Sequence, residues 1–365
     1  MEARFNTMGT QIKNMEFVLT DSCNLDCTYC HVKKGMYRMS KAQAEKHLQY
    51  VKENFDGYRA YSVSLFGGEP LLNWGTCTYI IDALKSFKSC DSITLFTNGI
   101  LLTDSILDFC LSNGVQIQIS FDAYHSDETR VPKNGVPCNL TYEMLLKKLA
   151  HTPGVRFAYT VSPQHARELA KVYKYYVDEH DVIPHIGIVK APPHQGLKCF
   201  WDESTVLDLR DGHKELCEVY AQRLVERQES PTVPIIDYYV RRLISASAGY
   251  TLPASCAGLR ISFYGDSMYH CLLQKQFPER KELIETRVRN REACKVCTIN
   301  KVCDCGCMYG YIEENPIYCQ LQHYLYANVI ELMHNLKGVP QWNRIITKMV
   351  LDGANHESDL CPHCD

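Results

Sequence analysis

Three cysteines stand together near the start of this chain, Cys23, Cys27 and Cys30, spaced C-x3-C-x2-C within DSCNLDCTYC at 21–30. An apolar, strand-like run at 15–20 precedes them, and the cysteines themselves read as a loop. Three thiolates on one short loop can hold three corners of a cubane iron–sulfur cluster. No fourth cysteine follows at similar spacing, so the fourth iron would be open to another ligand, as a catalytic metal site requires and a closed structural site does not. The alternatives are a zinc knuckle or three unrelated buried thiols. Zinc wants a fourth Cys or His at close spacing, and the adjacent His31 is badly aimed for such a loop ligand set.

A second set lies far along the chain. Cys294, Cys297, Cys303 and Cys307 are spaced C-x2-C-x5-C-x3-C, Cys319 follows, and Cys256 and Cys271 precede them. Seven ordered thiols exceed one zinc site, and two iron–sulfur clusters use them better than one zinc with leftovers. Cys77, Cys90, Cys110, Cys138, Cys199 and Cys217 are scattered and read as core or surface thiols. The tail, Cys361-Pro362-His363-Cys364, suits either a metal or a free polar end.

The 19 cysteines among 365 residues carry the strongest compositional signal. In a long chain whose first residues lack the apolar core of a secretory signal, such a count means metal rather than disulfides. The expected compartment is therefore the cytoplasm. A net charge of −3 gives no electrostatic reason to expect nucleic acid or an anionic membrane. No apolar run approaches the length of a bilayer span.

The elements that must position these cysteines follow from the pattern. Strands are expected at 15–20, 60–66, 92–96, 115–121, 156–161 and 183–189. Helices are expected at 39–55, with Ser40 as N-cap, and at 75–87, 104–111, 142–151 and 164–179. Strands alternating with helices imply parallel pairing with right-handed crossovers, and binding groups collect at the C-terminal ends of such strands. There stand the cysteine loop, Gly67-Gly68-Glu69-Pro70, Thr97-Asn98-Gly99, and Ser120 with Asp122. Each motif alone is weak. GGEP by default is a strand-ending turn, or its glycines let backbone approach a ligand ammonium with Glu69 setting local charge. Ser120 and Asp122 suit a helix cap or, for Asp122, a polar contact near a ribose. Arg130 suits the surface or a ligand carboxylate.

The alternation breaks at APPHQG, 191–196. Helices at 203–229 and 235–248 follow, then a hairpin at 261–271 turning at Gly265-Asp266, and helices at 318–336 and 341–351. The expected organisation is a barrel at 1–195, a helical bridge at 196–250, and a cysteine-rich domain with C-terminal helices at 251–365.

Taken together, C-x3-C-x2-C, GGEP, TNG and SFD in this order resemble the radical S-adenosylmethionine enzymes over about residues 12–195. The resemblance implies an α/β fold, a partial (β/α)6 TIM barrel followed by a small cysteine-rich domain. It implies that Cys23, Cys27 and Cys30 ligate a [4Fe–4S] cluster whose open iron takes the methionyl amine and carboxylate of S-adenosylmethionine. It places Tyr29 against the nucleoside, Gly67 and Gly68 on the methionyl amine, Ser120 on the ribose and Arg130 on the carboxylate. The cluster then donates one electron, and a 5′-deoxyadenosyl radical abstracts a substrate hydrogen. The later cysteines resemble the SPASM extension of that family, implying three clusters in all. Auxiliary cluster one would use Cys256, Cys271 and Cys307, with either an open iron or Cys305 as fourth ligand. Auxiliary cluster two would use Cys294, Cys297, Cys303 and Cys319.

Enzymes with this extension commonly modify ribosomally made peptides or proteins. The expected function is thus a peptide maturase forming a thioether or carbon–carbon crosslink. A peptide or protein substrate, a reductant such as flavodoxin or ferredoxin, and a separate leader-peptide-binding protein are the implied partners; neither nucleic acid nor membrane is. Alternatives are a sulfatase-maturing (formylglycine-generating) enzyme, a small-molecule radical dehydrogenase, or a non-enzymatic electron carrier. In the sulfatase-maturing group an aspartate follows the second auxiliary cysteine, whereas Leu272 follows Cys271 here. The residues carry no signal for a catalytic base.

Overall fold

The computed structural model describes residues 14–58, 60–189, 199–228, 231–249, 260–269, 292–303 and 316–353. Of the cysteines singled out above, Cys256, Cys271, Cys305, Cys307, Cys361 and Cys364 lie outside them, as does the break at 191–196. The chain divides into two units, Met1–Ala158 with Ala257–Lys281, and Tyr159–Cys256 with Glu282–His363.

The first unit is built on a mostly parallel sheet. Strand β1 (Asn14–Thr20) is buried at every position, as a strand covered on both faces must be. A short β2 (Leu25–Cys27) follows it, then helix α1 (Lys41–Asn54) and β3 (Tyr61–Gly67). Helix α2 (Trp74–Leu84), β4 (Cys90–Thr97), α3 (Asp104–Ser112) and β5 (Val115–Ser120) continue the alternation. The short β6 (Arg130–Pro132) precedes α4 (Asn139–Leu149) and β7 (Val155–Val161). Pairing is parallel from β1 to β3, β4, β5 and β7. The expected α/β class therefore holds, with strand and helix boundaries within a few residues of those read from the pattern.

Local chemistry explains the helices. Ser40 caps α1 by accepting the Gln43 N–H at 3.2 Å, and the Gln43 side chain returns a bond to the Ser40 N–H at 3.0 Å. Ala44, His47, Leu48 and Val51 then form the buried stripe at helical spacing. Helix α3 starts on Thr103 and is followed by Gly114, whose φ of +66° suits the turn out of a helix.

Two features were not legible. Strand β2 pairs antiparallel with β6, Cys27 opposite Arg130, so the second cysteine lies on a strand and not in free loop. A run of three residues is too short to show a period. The hairpin of β9 (Arg260–Tyr264) and β10 (Ser267–Tyr269) also belongs to this sheet: β9 runs parallel to β1, Met15 opposite Ile261 and Phe17 opposite Phe263. Strand β1 needs a partner on the side away from β3, and Glu16 receives it. Its carboxylate accepts from the Ser262 hydroxyl at 2.6 Å and from Arg260 Nη1 at 3.0 Å.

In the second unit, residues 163–179 form a tight 3-10 segment (Pro163–Glu168), then α5 (Leu169–Lys174), then a π-helical turn (Tyr175–Glu179), where a single helix was expected. The wide last turn lets the Val182 N–H reach the Tyr176 carbonyl at 3.0 Å. Strand β8 (His185–Ile188) precedes helices α6 (Glu203–Val225) and α7 (Pro234–Ser247). Helices α8 (Pro316–Asn335) and α9 (Pro340–Gly353) close the chain. Gly212 of α6 lies so close to the Ala166 carbonyl that a Cβ there would sit 2.4 Å from it. Among the described residues no helix is long and apolar enough to cross a membrane.

The Glu16–Arg260 pair is nearly dry. Glu16→Ala removes the carboxylate from a buried guanidinium, a loss of about 3 kcal/mol. Its urea midpoint should fall clearly below the native one, and that of Glu16→Gln, which still meets Ser262, by less.

Candidate cofactor and cluster site

Strands β1, β3, β4 and β5 of the first unit's parallel run each deliver their C-terminal end to the cysteine loop. The loop leaves β1 at Asp21. The Asp21 carboxylate accepts from the Tyr37 N–H at 2.7 Å and the Tyr264 hydroxyl at 2.9 Å, and the Ser22 hydroxyl donates to the Gly35 carbonyl at 2.7 Å. These bonds close 21–37 into a fixed lobe. Strand β3 ends in Gly67, Gly68 and Glu69. Gly68 N–H donates to the Thr20 carbonyl at 2.7 Å and Glu69 N–H to the Ser22 carbonyl at 2.9 Å. A Cβ on Gly67 would lie 2.2 Å from the Thr20 oxygen, and one on Gly68 2.1 Å from the Ser22 oxygen. Gly67 also has φ +143°. The two glycines are therefore required by the approach of the cysteine loop itself.

Glu69 is fully buried and acts as a bracket. It accepts from Thr97 Oγ1 at 2.7 Å, Asn98 N–H at 2.8 Å and Leu71 N–H at 3.1 Å. Burial pushes its carboxyl upward, and these donors pull it back. The end of β4 is thereby pinned to the turn after β3. Asn98 in turn donates to Asn24 Oδ1 at 2.7 Å and lies 3.8 Å from Cys23 Sγ.

The end of β5 carries Ser120, half-buried, and Asp122, fully buried. Asp122 is the centre of a polar knot. It accepts from the Tyr29 hydroxyl and, at 2.7 Å, from Thr129 Oγ1. Arg130 Nη2 reaches its Oδ1 at 3.3 Å and Nε its Oδ2 at 3.1 Å. The guanidinium also lies 5.6 Å from the centre of the Tyr29 ring. Burial pushes the Tyr29 phenol well above its usual range, so it remains a donor. Burial alone would lower Arg130, but Asp122 more than restores it and keeps it cationic.

The three thiols sit inside this frame. Cys23, Cys27 and Cys30 are free. Leu25 N–H points to Cys23 Sγ at 3.4 Å, and Lys34 Nζ donates to Cys30 Sγ at 3.1 Å. Burial raises the Cys27 thiol to about 12 against the pull of Arg130, and it raises Cys23 too, against Lys34. Burial would lower Lys34, yet the neighbouring Cys30 and Cys23 raise it. Buried thiols of this kind give up their protons on binding a metal. Convergent N–H donors and cations around three sulfurs are the surroundings that a cluster's thiolates need, so the residues fit the group. His31 lies flat against Phe66, ring centres 5.9 Å apart.

Sequence reasoning placed Tyr29, Gly67, Gly68, Glu69, Ser120, Asp122 and Arg130 in one site; the fold joins Tyr29, Asp122 and Arg130 in one knot, sets Gly67, Gly68 and Glu69 against the start of the cysteine loop, and puts Ser120 at the end of β5. It missed Lys34 and Thr129, and it named Asn98 within TNG without giving it a role. Nothing distinguishes Lys34 from Lys33 without coordinates.

Within the second unit the later cysteines are partly described. Cys294 lies on a one-turn helix, Glu292–Lys295, and Cys297 N–H bonds its carbonyl at 3.2 Å. Cys303 N–H bonds the Ile299 carbonyl at 2.8 Å. Cys319 lies on α8, and one turn further His323 Nε2 stands 3.4 Å from Cys297 Sγ. The carbonyl before Cys303, that of Val302, accepts from both buried Arg242 Nε and Tyr326 Oη at 2.5 Å.

Residues 17–137 match the model of the radical SAM superfamily. Over 132 residues the chain is 26% identical to the radical SAM cyclopropyl synthase TigE of Paramaledivibacter caminithermalis, covering 32% of this chain and 28% of that protein. Over 125 residues it is 32% identical to a GTP 3′,8-cyclase of Clostridium perfringens, covering 33% and 37%. The chain thus spans only about a third of the length of these curated relatives. Among solved structures, native anSMEcpe with bound AdoMet and Cp18Cys peptide superposes with a TM-score of 0.67 at 17% identity, covering 89% of this chain and 99% of that one. That likeness shows the fold.

The glycine contacts give a direct test. Gly68→Ala forces the Ser22 carbonyl away, with overpacking that costs about 1–3 kcal/mol. Circular dichroism should show a folded protein with a lower melting point. Iron and sulfide bound after anaerobic reconstitution should fall as the cysteine loop shifts.

Proposed function

We propose that this chain, whose residues 17–137 belong to the radical SAM superfamily, is a peptide-maturing radical enzyme that forms a thioether or carbon–carbon crosslink in a ribosomally made peptide. The observation that carries the proposal is the convergence of three free thiols, the Gly67–Glu69 turn and the Tyr29–Asp122–Arg130 knot at one end of a parallel sheet. A [4Fe–4S] cluster held by Cys23, Cys27 and Cys30 would supply the single electron that reductive cleavage of S-adenosylmethionine requires, and that cleavage would make hydrogen abstraction from the substrate possible.

The chain's residues have definable tasks in this reading. Cys23, Cys27 and Cys30 hold the cluster. The turn at Gly67 and Gly68 presents backbone carbonyls to the methionyl ammonium, and buried Glu69 sets the local charge. Tyr29, fixed by Asp122, gives the nucleoside an apolar face. Arg130, oriented by Asp122, offers its planar fork to the ligand carboxylate. Ser120 meets the ribose. Water exclusion falls to the buried frame around them, which protects a radical from side reactions.

Cys294, Cys297, Cys303 and Cys319 hold an auxiliary cluster, and Cys256, Cys271 and Cys307 a further one. With a cluster at the first site, this makes three. The peptide reading is supported by the likeness to a fold solved with a peptide. The GTP 3′,8-cyclase match favours a second reading, the same radical chemistry on a small molecule. The partners in the first reading are a flavodoxin- or ferredoxin-type reductant and a separate leader-binding protein, in the cytoplasm.

Reduced, reconstituted protein should release 5′-deoxyadenosine from S-adenosylmethionine, and Cys23→Ala should release none. Cys294→Ala should still release it while losing product. Mass spectrometry of a co-expressed peptide encoded nearby should show loss of two hydrogens. An unchanged peptide with intact nucleoside release moves the substrate to the small-molecule class.

A further inference from the structure

Lys34 is the one buried-side lysine of the cysteine lobe, and its place is imposed by its neighbours. Val32 packs into a small apolar cluster with Val18, Cys30, Phe66 and Tyr264. Gly35 N–H bonds the Asp21 carbonyl at 3.3 Å, and its own carbonyl accepts from Ser22. A Cβ on Gly35 would strike Asp21 Oδ2 at 2.7 Å, so the backbone presses directly on that carboxylate. The chain is thus pinned on both sides of Lys34, while its neighbour Lys33 stays exposed. The pinned backbone delivers the ammonium to Cys30 Sγ at 3.1 Å, within electrostatic reach of Cys23 and Cys27 as well.

We infer that Lys34 is a positioning residue whose charge-assisted N–H···S bond to Cys30 raises the reduction potential of the cluster held by Cys23, Cys27 and Cys30. The inference rests on the cluster reading given above. One-electron reduction places extra negative charge on the cluster and its thiolates. A cation bonded to one sulfur stabilises the reduced form more than the oxidised one, as hydrogen bonds to cluster sulfurs do generally. Low exposure strengthens the effect, because little solvent screens it. Arg130 lies opposite Cys27 in the strand pairing, but its charge is already matched by Asp122. The Lys34 charge meets the sulfurs themselves.

The test is a mediated dithionite titration of the full, reconstituted chain without S-adenosylmethionine, followed by electron paramagnetic resonance. The signal missing from Cys23→Ala identifies the first cluster. For that signal, Lys34→Met should lower the reduction equilibrium constant about tenfold, ~59 mV for one electron. Iron content should be unchanged, and Lys34→Arg should restore most of the potential. If Lys34→Met loads less iron, Lys34→Gln is read in the same way; iron loss in both overturns the inference in favour of an assembly role. An unchanged potential with full iron also overturns it. So does an unchanged potential with weakened S-adenosylmethionine binding, which makes Lys34 a carboxylate contact. If Cys23→Ala removes neither iron nor a signal, it is the cluster reading that fails.

Discussion

The site depends on a close approach of backbone to backbone. The turn after β3 meets the start of the cysteine loop through two short hydrogen bonds, Gly68 to Thr20 and Glu69 to Ser22. At positions 67 and 68 that approach is open only to residues without a Cβ, and both are glycine. Once the loop is seated there, the other strand ends have fixed positions to reach. Asn98 can bridge to Asn24, and Glu69 can gather donors from two segments at once. The Glu69 N–H bonds the loop while its buried carboxylate is met by Leu71, Thr97 and Asn98, so one residue ties the cysteine loop to the end of β4.

The second buried charge follows the same rule. Asp122 is sealed from solvent, and it is tolerated because a phenol, a hydroxyl and a guanidinium all turn toward it. Two of these partners sit beside cluster-binding candidates. Tyr29 precedes Cys30, and Arg130 lies opposite Cys27 in the β2–β6 pairing. The carboxylate at the end of β5 thus fixes the orientation of the cysteine loop from the far side, while Glu69 fixes it from the near side. Both anchors are electrostatic, in a region of low dielectric where such bonds hold geometry firmly.

Much of this was legible from the chain. Long strands and helices showed through their periods, and the start of α1 through Ser40. The motif residues were also visible, because motifs that are each weak alone recur at the ends of successive strands, where binding groups collect. What the glycines do was not visible, since a missing Cβ can make room for a ligand or for another backbone, and only coordinates separate the two. Strand β2 was hidden by its length. Lys34 was hidden because side-chain reach depends on how the loop folds back, which here is decided by Asp21 and Gly35. The hairpin was recognised as a hairpin, but its partner was not, because parallel pairing across more than two hundred residues leaves no local trace.

That distant hairpin has a consequence for the cysteine lobe. Beyond its pairing with β1, it sends Tyr264 to the Asp21 carboxylate, stacks the same ring on Tyr37 at 4.0 Å, and gives the Gly265 N–H to the Tyr37 hydroxyl. The Gly265 carbonyl meets His47 of α1 at 2.7 Å. Asp21 and Tyr37 mark the two ends of the lobe that carries all three first-site cysteines and Lys34. Bonds within 21–37 join these two ends locally, Tyr37 N–H to Asp21 and Ser22 to Gly35, and the hairpin braces them from outside the lobe. That brace spans more than two hundred residues of sequence, so its loop-closure entropy is the larger cost and the local bonds are the cheaper ones.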